Sequence, residues 1–391
     1  MNQKFFKYLK RTLLFVFILI PIIAYIGYSF LGARVHYDDN PIGLEWNNDG
    51  PYLFFENDNS MSVNYIKGNQ KDGFQIKTEY KALDSVYSLD SYFALDNTHF
   101  NFKIDTSFKT PKAEYKDGNK ILAISDIESG YKTFRDFLIN SNVIDDNLNW
   151  IFGKGHLVLV GDFVDRGLST TQVLWFIYKL EQDAKIKGGF VHYLVGNHEL
   201  KNMHGNHKTA SYKYEQISSV LEKTQSELYN SKSFIGKWLY SKNAIELING
   251  NLFVHGGIHP SLADSKLNIE EMNEVIRRNY YKQFSANTTK GIEQLLTSTK
   301  TGPCWYRGYF KDNLSQAQVE VGLKKFSAEV VIVGHTLQPK VNKQYNGKVI
   351  GIDVHHPKDY HKNWPKGRSE ALLIEGSNYY RVFDNGEKEK I

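Results

Sequence analysis

Five short clusters in this chain carry side chains that bind metals or phosphate. "SDIES" supplies Asp126 and Glu128, and "GDFVDRG" supplies Asp162, Asp165 and Arg166. "GNHE" supplies Asn197, His198 and Glu199, while "HGG" and "GHT" supply His255 and His335. Carboxylates, imidazoles and an amide oxygen form a donor set that suits Mn, Fe or Zn better than Ca. Two such cations ~3.5–4 Å apart can clamp a phosphoryl group and activate water against it near neutral pH. An arginine beside them is a planar two-pronged donor for phosphate oxygens. Each cluster alone is a weak signal, so the question is whether the fold brings them together.

Each cluster follows an apolar run of strand length: "ILAIS", "HLVLVG", "FVHYLVG", "NLFVHGG" and "EVVIVGH". Strands buried on both faces are continuously apolar in this way. Between them, "GYKTFRDFLINSNV" and "STTQVLWFIYKLEQDAKIKG" carry apolar residues at helical spacing. This alternation is an α/β pattern, and α/β folds gather ligand groups at the carboxyl ends of their strands. Two polar, helix-prone stretches, about 201–242 and 261–301, read as insertions above the strand ends. "GKVIGIDV" and "SEALLIEGSNYYRVF" read as hairpin strands completing a sheet, and 385–391, "NGEKEKI", as a frayed tail. No internal repeat is present.

The order of these motifs resembles the calcineurin-like metallophosphoesterases, and "GDFVDRG…GNHE…HGG" resembles their phosphoprotein-phosphatase branch. "LVGNHELKNMHG" and "GPCWYRGY", residues 302–309, are similar to the bacterial Shewanella-like phosphatases. The likeness spans about 120–383. It implies a two-sheet αββα sandwich flanked by helices, with the catalytic groups on one rim, inside a phosphoesterase domain at 118–384. It also implies two divalent ions, with manganese favoured over iron, zinc or magnesium. Asp162 is the natural shared ligand because the others flank it. Asp126, Asp162 and Glu128 would take the first ion, and Asp162, Asn197, His255 and His335 the second. The resemblance makes His198 the proton donor to the leaving oxygen. Asp165 would orient it, and Arg166 and Arg307 would hold the phosphate.

Glu128 departs from the family pattern, which has histidine there. Glutamate adds a negative charge and makes the first site all oxygen, favouring harder ions such as Mn²⁺ or Mg²⁺. Ligation is expected because Asp126 and Asp162 would otherwise repel each other. The remaining candidates read as structural. His192 lies inside a buried strand, His204 and His207 face solvent in the insertion, and His355 and His356 lie away from the catalytic groups. Cys304, the single cysteine, is a buried apolar residue with no base placed near it in sequence.

The first residues set a location. Lys4, Lys7, Lys10 and Arg11 in segment 1–11 precede an uncharged run at 12–33. About 20 apolar residues cross a bilayer core. An uncleaved anchor is favoured over a cleaved signal because Leu31 stands where a cleavage site wants a small residue. Basic residues before the span keep the short end cytoplasmic and place the remainder on the periplasmic or extracellular side. Residues 38–117 alternate in short aromatic runs separated by turns, a small β-rich module acting as packing and spacer between membrane and enzyme. With 41% hydrophobic and 14% aromatic residues in 391, disorder is excluded. A net charge of +5, spread along the chain, gives no electrostatic case for nucleic acid.

The sequence thus points to a membrane-anchored dimetal phosphomonoesterase acting on phosphoproteins or small phosphoesters. The alternatives are a nucleotide, dinucleoside polyphosphate or lipid-phosphate hydrolase, and a binding protein with a degenerate metal site.

Overall fold

The computed structural model describes residues 3–31, 35–37, 40, 45–282, 289–312 and 314–391. The expected end of the apolar span (residue 33), the start of the β-rich module (38 and 39) and 283–288 of the second insertion lie outside them.

Two six-stranded sheets form the body. The first runs Phe190–Tyr193, His156–Leu159, Ile121–Ile124, Glu370–Glu375, Asn378–Phe383, Lys388–Lys390. Its first three strands are parallel and the rest antiparallel. The second runs Asn342–Gln344, Val349–Gly351, Val330–Val333, Asn251–Val254, Ile245–Ile248, Glu114–Tyr115. Its strands at 349, 330 and 251 are parallel.

Why these runs are apolar throughout follows from the pleat. Ile121 and Ala123 join Val158, Ile332 and Ile350 in one cluster drawn from both sheets, which fills the space between them. The alternate residues Leu122, Ile124, Leu157, Leu159, Val331 and Val333 belong to a second cluster that includes helix residues Phe134, Phe176, Val319 and Leu323. Both faces of each strand are therefore dry. Registers keep the parallel strand ends level: Ile124 pairs with Leu159, Leu159 with Tyr193, and Val333 with Gly351. All these carboxyl ends open on one rim.

The β-rich region forms a three-stranded sheet, Trp46–Phe55, Ser60–Asn69 and Gly73–Ala82, and a hairpin of Ser88–Phe93 with Thr98–Lys103. It acts as a packing element, set into the body against the helix Thr170–Ile186. The Phe102 ring stacks on Trp175 at 4.6 Å. Trp175 Nε1 donates to Pro51 O at 2.8 Å, and Gln172 Nε2 to Tyr92 O at 3.0 Å. Lys213 is buried in an ion pair with Asp49.

The carboxyl end also differs from expectation. Residues 385–391 are not frayed: Lys388–Lys390 is the edge strand of the first sheet, and Ile391 N donates to Tyr379 O at 2.9 Å. Cross-strand ion pairs, Arg381 with Glu389 and Lys388 with Glu375, each 3.1 Å, accompany that pairing, so a fully polar segment still joins the sheet.

Helix Gln3–Leu31 contains a 24-residue stretch, Lys4–Gly27, long and apolar enough to cross a membrane. Val35–Tyr37, shortly after it, pairs antiparallel with Lys362–Trp364.

Candidate active site

The strand-end loops are knitted together by their backbones. Asp126 N donates to Gly161 O and Glu128 N to Asp162 O, both 3.0 Å, and Gly334 N donates to His255 O at 2.9 Å. Asp126, Glu128, Asp162, Asp165, Arg166 and His335 all adopt left-handed φ values, between 51° and 69°. Such values cost non-glycine residues of order 1–3 kcal/mol each, and a site that holds six of them constrains them for a purpose other than stability. Glu199 is the clamp beneath. Its buried carboxylate accepts from the backbone N–H of Asp162, Phe163 and Gly196 and from Tyr193 Oη, at 2.8–3.0 Å. Gly196 is required for this approach, since a Cβ there would lie 2.4 Å from Asp162 Oδ1.

One set of donors converges on a point. Asp162, His255 and His335 each offer a ligand atom, all within 4.8 Å of one another. The amide atom of Asn197 that faces them lies 3.1 Å from His255 Nε2, 3.2 Å from Asp162 Oδ2 and 2.6 Å from His335 Nδ1. A cation between an amide oxygen and these three atoms would reconcile their crowding, so the residues present fit a divalent ion. The tautomers fit as well. His255 Nδ1 is bound to Val160 O at 2.7 Å and His335 Nε2 to Trp305 O at 2.9 Å, which leaves His255 Nε2 and His335 Nδ1 as the lone-pair atoms facing the site.

Electrostatics follow the crowding. Burial, with the charge of Asp162, outweighs His255 and pushes Asp126 up to about 7. Burial also opposes ionisation of Asp162, but the surrounding histidines, His255 first, hold it well below the carboxylate range. Burial works against a charged His255, yet Asp162 lifts its pKa to about 10, so without a cation Nε2 holds a proton that a bound cation would replace. His335 is pushed down to about 2 by burial, His255 and Arg307, so it stays neutral as a metal ligand must.

Beside this cluster, His198 Nδ1 is 2.7 Å from Asp165 Oδ2, and its Nε2 lies 3.7 Å from Asp162 Oδ2. Asp165 also accepts from Asn202 Nδ2 and Thr209 Oγ1, each 2.7 Å. Arg166 Nη2 and Lys201 Nζ stand 3.3 and 3.2 Å from His198 Nε2. Arg307 leans on His335 O. A cavity of about 710 Å³ opens above, lined by Asp126, Glu128, Asp162, Arg166, His198, Arg307 and His335.

Residues 119–339 match the family model of the calcineurin-like phosphoesterases. The chain belongs to that family. This phosphoesterase is 28% identical over 266 residues to Shewanella-like protein phosphatase 1 of Plasmodium berghei (strain Anka), covering 64% of this chain and 71% of that protein. It is 23% identical over 349 residues to Shewanella-like protein phosphatase 2 of Arabidopsis thaliana, covering 76% and 84%. Its structure superposes on the cold-active protein-tyrosine phosphatase of a psychrophilic Shewanella species with a TM-score of 0.76 and 29% identity, covering 88% of this chain and 98% of that one. The αββα sandwich and the metal-dependent phosphatase class follow.

Every residue named from the sequence for the phosphoesterase site meets at this rim except in one respect. Glu128 is there, but its two oxygens are ion-paired to Arg166 and Lys358. Burial alone would raise its pKa; those two cations outweigh burial and hold it low. Three histidine expectations need correction. His207 is half-buried rather than solvent-facing, with Nδ1 3.2 Å from Asn202 Oδ1, and so braces the Asn202–Asp165–His198 chain. His204 is likewise half-buried, with Nε2 3.1 Å from Asn279 O. His355 and His356 do not lie away from the site; both line the cavity, because the chain after Val349–Gly351 turns across the rim. His192 is buried and bonded to His156 and Glu246, and Cys304 is buried, its thiol pushed up by burial. Sequence reasoning missed Lys358 and Asp353. For Asp353 a signal existed, since "VIGIDV" is another strand ending in a carboxylate.

Proposed function

We propose that this chain is a membrane-anchored phosphatase that hydrolyses phosphomonoesters of proteins at a two-cation centre built on Asp162. The observation that carries the reading is the convergence of Asp162, Asn197, His255 and His335 beside the His198–Asp165 pair and two arginines. Two divalent cations, manganese by preference, supply Lewis-acid activation of water and of the phosphoryl oxygens. Asp126 and Glu128 flank Asp162 on the first side, and Asn197, His255 and His335 on the second.

The chain's own groups do the rest. Arg166 and Arg307 orient the non-bridging phosphate oxygens. Glu128 stays ion-paired to Arg166 and Lys358 and so holds Arg166 at the rim. Asp165 holds His198 Nδ1–H and so turns Nε2 into the cavity, where it would carry the proton for the leaving oxygen. A protein substrate is supported by the relatives, which are named as protein phosphatases.

A specific feature favours a second reading, a lipid-linked phosphate. Val35–Tyr37 is joined to the end of the apolar helix at Leu31 by a span that reaches no more than about 14 Å. It pairs with Lys362–Trp364, and His361 and Asn363 line the cavity. If the helix is the anchor, the catalytic mouth opens close to the bilayer surface.

The test is turnover by the full chain in detergent with Mn²⁺, offered an aryl phosphate, a phosphopeptide and a lipid phosphate. His198→Ala is expected to lose about 10²–10⁴-fold in kcat on any accepted substrate. Turnover by Asp162→Asn equal to wild type would defeat the reading. Preference for the lipid phosphate over the phosphopeptide would select the second substrate class. A reporter fused after Tyr37 that is active in the cytoplasm would contradict the outward placement.

A further inference from the structure

Asp353 extends the series of strand-end groups to one more strand. Asp126 lies two residues beyond Ile121–Ile124, and His335 two beyond Val330–Val333. Asp353 lies two beyond Val349–Gly351, the parallel neighbour of the strand that carries His335. Its backbone is fixed on both sides: Ile352 N donates to Val333 O, and Gln338 N donates to Asp353 O, both at 2.8 Å. The side chain lines the same cavity as Asp126, Glu128 and Asp162.

What sets Asp353 apart is that no hydrogen bond or ion pair holds its carboxylate, and Arg307 acts on it through charge alone. Asp353 is 6% exposed, and among the described residues no hydrogen-bond donor or salt-bridge cation reaches it. Every other buried carboxylate of the site has such partners. Asp126 accepts from His335 N, Asp162 from His198 N, and Glu128 is held by Arg166 and Lys358. Asp165 and Glu199 are bonded several times over. A buried carboxylate left unpaired is costly, and the cost falls away when the group is protonated or binds a cation.

We propose that Asp353 is a ligand of the first cation, joining Asp126 and Asp162 on the side where the family pattern has histidine in place of Glu128. This deepens the two-cation reading and rests on it. The substitution at 128 removes a neutral nitrogen donor and puts in a side chain committed to two ion pairs. Asp353 supplies the missing donor from the far side of the same rim. The resulting first site is all oxygen, a preference for Mn²⁺ or Mg²⁺ over Zn²⁺. With Glu128 paired to Arg166 and Lys358, Asp126, Asp162 and Asp353 would supply three negative charges to the two dications.

The test is metal stoichiometry and affinity of the purified full chain titrated with Mn²⁺, read by elemental analysis and by the exchange-coupled spin-resonance signal of a Mn–Mn pair. Wild type binds two ions and shows the coupled signal. Asp353→Asn is expected to retain one ion and lose the coupled signal. Its first-site affinity should fall beyond the roughly 10–100-fold that loss of an outer partner costs. Asp353→Glu, which keeps a carboxylate, restores the second ion in part; no such rescue is expected if Asp353 only packs the loop. Thermal unfolding of both variants without metal separates misfolding from ligand loss. Asp353→Asn loading two ions with wild-type affinity overturns the assignment of Asp353 and leaves the two-cation reading standing. Wild type loading fewer than two overturns both.

Discussion

His356 illustrates how a residue can serve the rim without touching substrate. Its ring is buried, with Nε2 3.0 Å from Ser125 O and Nδ1 3.1 Å from Ser369 Oγ, tying the segment after Asp353 to the strand end that carries Asp126. Burial, helped by Lys358, pushes its pKa down to about 4. In the unfolded chain a histidine titrates near 6.5. The folded state therefore binds fewer protons between those values. Stability from this group is complete above about pH 6.5 and is lost as pH falls toward 4. Between pH 7 and pH 5 the loss amounts to about 2 kcal/mol. Urea unfolding of the metal-free protein at those two pH values checks it. His356→Asn is expected to show a smaller drop than wild type, and an equal drop in both would reject the assignment. The chemistry-bearing residues were legible in the sequence because their types are unusual in apolar strand ends. Asp353, read as part of the strand "VIGIDV", was passed over: its place at a strand end was a signal, but one aspartate after a strand is common at turns.

At the scale of elements, local pattern identified the central strands of both sheets and the helix Thr170–Ile186, but not the strands Glu114–Tyr115, Ile245–Ile248 and Asn342–Gln344 or what lies against the helix. That helix is buried almost all round over Thr170–Leu180. One side meets the first sheet, and Trp175 and Gln172 meet the β-rich region. Its apolar character on every face was the available hint that a further layer covers it. Short alternating strands separated by turns do not encode which surface they will cover, so the region read as packing and spacer with no surface assigned. Packed as it is, Trp175→Ala removes a fully buried ring, its stack on Phe102 and its bond to Pro51. A loss of about 3–5 kcal/mol is expected. Denaturant unfolding followed by tryptophan fluorescence and by circular dichroism measures it. Because the interface is continuous core, both probes should report one shared transition in wild type; separate transitions for the β-rich region and the sandwich would contradict this packing.

For the molecule as a whole, one long apolar helix leads within a few residues to a strand on the lip of the catalytic cavity, and two sheets then bring six strand ends to that lip. An α/β fold with its rim was legible because buried strands and their terminal motifs recur in strict order, whereas the two-sheet sandwich came from the family resemblance alone. The Lys388–Lys390 edge strand was not, because its ion pairs with Arg381 and Glu375 are made only after folding. The central claim is that this rim holds a pair of cations around Asp162. Crystals grown with Mn²⁺ and measured at its absorption edge address it directly. Two anomalous peaks about 3.5–4 Å apart, with Asp162 between them, are the result predicted. A rim without peaks at saturating Mn²⁺, or a single ion remote from Asp162, would contradict it.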